Sequence, residues 1–270
     1  MNSATNKDTR KLIEQSKEAY SSGQYAKAES LTRDALYLAE LAGNKTDIAL
    51  SLHNLGTILT SIGRYSEAMQ VYSKALAVKE ALGDQGPSIA STLNQLAQVY
   101  SATGQLQEAE RLYEQALVTV EKLGDRRAQA ITLSNLASVY SHQGRISEAE
   151  ALYRKALEIQ ESLGDWQTAT TYNNLGNLYF AMHDLGKAHD AFQKAVRLMK
   201  SNLGDEHPDT AIVLNNLSRV LAEEGKDEEA IKLFSESLNI LKRTLGPDHP
   251  YVEKLTEREH SLTKGSSGRS

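Results

Sequence analysis

The chain has 270 residues, 40% hydrophobic and 24% charged, an ordinary composition for a soluble protein with enough apolar material to bury a core. Lys and Arg number 30 against 35 Asp and Glu, so the formal net charge is −5, which argues against a surface built for nucleic-acid phosphates. The absence of cysteine excludes disulfides, thiolate chemistry and Cys-based zinc sites, no run of about 18 apolar residues offers a membrane span, and the polar start MNSATNKDTRKL lacks a signal-peptide core. A cytoplasmic protein is therefore expected.

Residues 1–7 read as a disordered N-terminus. Beyond them a Gly-x-x-x-x-Ala pattern recurs at Gly23, Gly63, Gly104, Gly144 and Gly225, with His183 once in the glycine's place, at spacings of 40, 41, 40, 39 and 42. Ala28, Ala68, Ala109, Ala149, Ala188 and Ala230 lie five residues further on. Ala35, Ala75, Ala116, Ala156 and Ala195, then Ser237, lie twelve further on.

Each unit reads as two helices. Before the turn, apolar residues at i, i+3 and i+7, such as Leu93, Leu96, Tyr100 and Leu133, Leu136, Tyr140, mark helix A, with a small residue at i+4 (Gly56, Ala97, Ala137, Gly176, Ser218). After the turn, the alanines and an aromatic four residues beyond the first of them (Tyr72, Tyr113, Tyr153, Phe192, Phe234) form the stripe of helix B. Small residues stand where large ones would hold the helices apart, so a bulky residue at Ala109 or Gly176 is expected to cost about 1 to 3 kcal/mol. Leu82-Gly83-Asp84, Leu123-Gly124-Asp125 and Leu163-Gly164-Asp165 place glycine as a helix stop and Asp as the N-cap of the next helix.

A hairpin of about 40 residues cannot bury its apolar face alone, so the units are expected to stack into one cooperative array over residues 8–263. The ends differ from the middle. Gln15 stands where later units have Leu, Pro250 to Leu262 reads as a charged capping helix, and 264–270 (KGSSGRS) reads as a disordered tail.

Leu55-Gly56, Leu175-Gly176, Tyr179, the turn glycines and the paired alanines resemble the tetratricopeptide repeat (TPR) over about residues 9 to 262. The 39- to 42-residue unit and the Leu-Gly-Asp stop are similar to the repeats of kinesin light chains and Pins-type adaptors, with LNNLS at 214 to 218 and LGDEHPDTA at 203 to 211 nearest the former. The resemblance implies an all-α fold, a right-handed superhelical α-solenoid of about six helix-turn-helix units plus a C-terminal capping helix. It further implies a concave groove lined by the A helices that holds a peptide.

Across 25 A-helix positions of the second to sixth units that point away from the packing stripe, a charged fraction of 24% would place about six charges; there are two, Arg219 and Glu223. Asparagine is a poor helix former, yet Asn54, Asn135, Asn174 and Asn216 recur one residue before the stripe's Leu, with Gln95 completing the row. A carboxamide offers a donor and an acceptor without charge, which pairs with a peptide backbone whatever its side chains. The expected peptide-binding set is Asn54, Asn94, Gln95, Gln98, Asn135, Ser138, Asn173, Asn174, Asn177, Asn215, Asn216 and Arg219, and the partner is an extended or disordered segment of another protein. Alternatively the amides bond only the adjacent repeat, and the protein is an architectural array that self-associates or docks through its convex or corner surfaces.

A clamp for a terminal carboxylate would need cations where His53, Thr57, Asn94 and Ser138 stand, and is not expected. Arg126 and Arg127 at a corner read as solvated. Trp166, the only tryptophan, is expected to pack under the following helix rather than stand as an exposed anchor. The seven histidines fall in turns or on separate helices without metal-ligand spacing, and no phosphate loop or nucleophile constellation is present. No catalysis, cofactor, metal, nucleic acid or membrane partner is expected, and self-association is left open.

Overall fold

The computed structural model describes residues 2–257, with side chains from residue 6 onward. It is helical throughout those residues. The helices are α1 (Asn2–Ser21), α2 (Tyr25–Leu41), α3 (Lys45–Ser61), α4 (Tyr65–Ala81), α5 (Pro87–Ala102), α6 (Leu106–Leu123), α7 (Arg126–His142), α8 (Ile146–Leu163), α9 (Thr168–Ala181), α10 (Leu185–Leu203), α11 (Pro208–Glu223) and α12 (Asp227–Leu245). A further helix, α13, starts at Pro250 and is described to Glu257. Residues 2–7, read from the sequence as disordered, are helical as the first turns of α1. The tail at 264–270 lies outside the described residues.

The chain divides into two compact units, one ending at Arg145 and the other beginning at Ile146. In the first, each helix packs on the next, and α1, α3, α5 and α7 also touch in succession. In the second, α8 to α12 pack in chain order and α9 touches α11. Within each unit the even-numbered helices meet one another through side-chain ion pairs, Arg33 with Glu67 and Lys200 with Glu236, without the backbone approach that the odd-numbered ones make. The closer backbone approach of the odd-numbered A helices puts them on the inner face of each unit, with the B helices outside.

The alanine pairs are where helices meet. Ala28, Ala35, Ala68, Ala75, Ala109, Ala116, Ala149, Ala156, Ala188 and Ala195 are all fully buried. Ser237, in the last alanine position, is also sealed and donates to the Ala211 carbonyl at 2.6 Å, so its hydroxyl is satisfied rather than stranded. Ser16 solves the same problem at the other end, donating to the Ala28 carbonyl at 3.0 Å, while Gln15 beside it is exposed.

Turn chemistry follows the glycines with two departures. His183 stands in the left-handed region at φ 57°, the one described non-glycine residue with positive φ, where its neighbours in the repeat are glycine. Of the three Leu-Gly-Asp aspartates, Asp125 caps α7 by accepting from Ala128 N at 3.0 Å. Asp84 and Asp165 instead accept from Gly86 N and Gln167 N, two residues on, and brace turns that delay the next helix to Pro87 and Thr168.

Between repeats run polar clasps 35 residues apart. Glu29 takes Arg64 at 2.9 Å, Glu110 takes Arg145 at 2.5 Å, and the second unit reuses the position with His189 and Glu224 at 3.1 Å. Burial works against the Glu29 charge, but Arg33 and Arg64 together hold its carboxyl below the usual range. Each clasp is partly exposed, so its contribution is about 1 kcal/mol or less, and its main effect is to fix register between hairpins.

Candidate functional site: the inner face of the A helices

In each unit taken by itself, three positions of the A helices line the inner face, set two before, one before and two after the stripe's Leu. The sequence treats their amides alike, and the structure separates them.

The first position ties repeats together. Asn94 donates from Nδ2 to Thr132 Oγ1 at 3.0 Å and to its own helix at the Ala90 carbonyl at 3.1 Å. His53 pairs with Thr92 Oγ1 at 3.0 Å, and buried Asn215 reaches the Tyr251 hydroxyl at 3.5 Å. Asn173 accepts from Asn216 at 2.9 Å, joining α9 to α11. These are the inter-repeat bonds that the alternative reading required, and they occupy Asn94, Asn173, Asn215 and Asn216.

The second position is free in the middle of the chain. Gln95, Asn135 and Asn174 are half-buried, and their side chains form no hydrogen bond among the described residues. Asn54 leaves its Nδ2 without a partner beside a cavity of about 300 Å³ bounded by Ser16, Tyr20, Thr57 and Ile58. At the third position Thr57 bonds the Tyr72 hydroxyl at 3.0 Å, Gln98 is exposed, and Ser138 and Asn177 are half-buried. Arg219 lies with its guanidinium carbon 4.6 Å from the Phe180 ring centroid.

Beneath this face in the first unit is a group that the sequence reading passed over. Lys79, on helix B and 4% exposed, donates to the Ser88 carbonyl at 2.9 Å and to Thr92 Oγ1 at 2.6 Å. Burial lowers its pKa to about 8. Burial, and then the Lys79 charge, push His53 down to about 4, so the Thr92-linked imidazole is neutral at pH 7 and the inner face there carries no charge of its own. A hydroxyl four residues before the stripe's Leu, buried in mid-helix, marks the receiving end of these ties at Thr92 and Thr132; Ser51 holds the same place in α3 with its hydroxyl unpartnered among the described residues.

Trp166 corrects the sequence expectation: it is 56% exposed and packs under no helix. Because Asp165 braces a turn over 166–167 and α9 starts only at Thr168, the indole is left outside the helix pair, with Leu163 exposed nearby in sequence. Among the described residues no group of three or more His, Asp or Glu could hold a metal, and no helix is long and apolar enough to cross a membrane.

The profile of the family described as Tetratricopeptide repeat matches six overlapping stretches, 19–81, 72–122, 88–162, 128–201, 167–243 and 210–253. The chain belongs to the tetratricopeptide repeat family, a class of protein-interaction scaffolds. Within it the likeness is to kinesin light chains. The chain is 27% identical over 92 residues to the Arabidopsis thaliana protein Kinesin Light Chain-Related 2, a match that spans 34% of this chain and 14% of that relative. It also resembles the crystal structure of a putative kinesin light chain with nearly identical TPR-like repeats from Podosopora anserina, at 24% identity and a TM-score of 0.59, covering 72% of this chain and 95% of that one. A Rap protein complexed with competence and sporulation factor aligns over 97% of this chain and 77% of its own, with 14% identity and a TM-score of 0.68.

Proposed function

We propose that this protein is a non-enzymatic adaptor that holds an extended segment of a partner protein against the inner face of its A helices. The observation that carries the reading is the division of labour among the amides. Inter-repeat bonds engage Asn94, Asn173, Asn215 and Asn216, while Gln95, Asn135 and Asn174 have half-buried carboxamides with no bond of their own. A half-buried carboxamide that the protein leaves unbonded is open to a ligand, and a peptide main chain supplies both the donor and the acceptor it can pair with. The Rap structure, which holds a bound factor on a similar fold, is in keeping with this use. Each hydrogen bond nets about 0.5 to 1.5 kcal/mol, less the cost of ordering the peptide, so affinity on the order of micromolar is expected.

The exposed Trp166 and Leu163 favour a second reading, in which a corner of the array is the docking surface. Selection of random-sequence peptides against the protein separates the two. Peptides selected by the wild type should lose binding to Asn135→Ala/Asn174→Ala while that variant keeps its thermal midpoint, and Asn94→Ala should lower the midpoint by removing the Thr132 tie. Full binding by the double variant would move the function to the corner, and loss of its stability would return its amides to a structural role.

A further inference from the structure

The inner face of the second unit departs from the uncharged pattern at Arg219 and Glu223, of which only Arg219 falls in the three positions described above. In the third position, where α3, α5, α7 and α9 carry Thr57, Gln98, Ser138 and Asn177 and α1 carries Lys17 paired with Glu14, α11 carries Arg219. One turn earlier on the same helix is Asn216, bonded to Asn173 of α9, so Arg219 shares its helix face with an amide of the inner surface. The residue opposite on α9 is Phe180, and the guanidinium lies over its ring at 4.6 Å.

Arginine stacked on an aromatic ring keeps its N–H edge available, since the ring occupies only the face of the guanidinium. That edge is unused within the protein. Arg219 forms no ion pair and no hydrogen bond among the described residues, and Glu223, one turn on, has its carboxylate 3.9 Å from the His183 ring. A half-buried cation held in place by stacking, with no acid answering it, has the charge and geometry to accept a carboxylate in two parallel N–H···O bonds.

We infer that Arg219, positioned by Phe180, is a specificity site that takes the side-chain carboxylate of an Asp or Glu in the extended segment bound by the inner face. The inference rests on the groove reading above and adds to it a ligand chemistry: a partner segment whose main chain is read by amides and whose acidic residue sets its register over the second unit. The equivalent position of α1 carries Lys17, which lies in the other unit and is paired with Glu14 at 2.8 Å; in the second unit Arg219 is the one cation at these positions, so one side-chain carboxylate is the group this site fits.

The test uses random nine-residue peptides displayed between constant linkers, so that no free terminus is offered, selected in parallel against the wild-type chain and Arg219→Gln after circular dichroism shows equal helicity. Asp or Glu should be enriched at one position with the wild type and not with the variant. A synthetic peptide from the selection should lose about tenfold in affinity on Arg219→Gln, lose the same on exchange of its acid for the amide, and lose no more when both changes are combined. Enriched peptides without an acidic preference, or with one that persists in Arg219→Gln, would overturn the site while leaving the groove reading intact. Binding seen only with free C-termini would overturn it in favour of a terminal carboxylate. Failure to select any peptide would contradict the groove reading itself.

Discussion

Adding one methyl group at Gly176 is expected to destabilise the protein by about 1 to 3 kcal/mol, although the change is only Gly→Ala within a helix, where alanine is intrinsically the better residue. A Cβ there would lie 2.8 Å from two carbons of the Phe192 ring, and at Gly56 it would lie 2.6 Å from the Tyr72 ring. Both rings are sealed, so neither can swing aside without disturbing the stack. Helix propensity would contribute roughly 1 kcal/mol in the opposite direction, and the overlap outweighs it because the neighbour is a rigid ring rather than the flexible end of a chain. Chemical denaturation of Gly176→Ala, Phe192→Leu and the double variant checks this. The shortened side chain should rescue part of the loss, giving a coupling of about 0.5 kcal/mol or more. Additive effects would show that the helices do not meet at this glycine.

Raising the pH from 7 to 9.5 is expected to stabilise the wild type by on the order of 2 kcal/mol relative to Lys79→Met. The sign follows from the direction of the shift. Lys79 titrates near 8 in the folded chain, because burial penalises its charge, and near 10.4 when unfolded. Below pH 8 both states carry the proton and the folded state bears the cost of an ammonium buried against a carbonyl and a hydroxyl, a cost that the Asp84 charge offsets only in part. Between pH 8 and 10.4 the folded chain sheds the proton while the unfolded chain keeps it, so that cost is progressively relieved. Methionine has similar length and no charge, and its stability curve should lack this step. Parallel curves for the two proteins would mean that Lys79 reaches water.

The repeat was legible in the sequence because helix packing imposes it locally. Alanines at 0% exposure, a glycine under an aromatic ring and positive-φ turns each allow few residue types, and all recur at about 40 residues. The amides were legible as a row but not as two populations. Whether an asparagine is occupied depends on the hydroxyl presented by the next repeat, as Thr132 is to Asn94, 38 residues away. Trp166 was misplaced for a related reason: the Gly-Asp pair marks a boundary, and only the turn formed when Asp165 accepts from Gln167 N settles that α9 begins too late to cover the indole. Lys79 carries no signal in the sequence, because its burial follows from how α4 and α5 meet rather than from its neighbours along the chain.

The central claim is that uncharged amides on the A helices read a peptide main chain. It is tested most directly by isothermal titration of a selected peptide against its analogues methylated at single backbone nitrogens, alongside analogues with side chains exchanged at those positions. Methylation at the nitrogens facing Gln95, Asn135 or Asn174 should weaken binding about tenfold each, with side-chain exchange there nearly neutral. Affinity that ignores backbone methylation and collapses when side chains are exchanged would contradict the account.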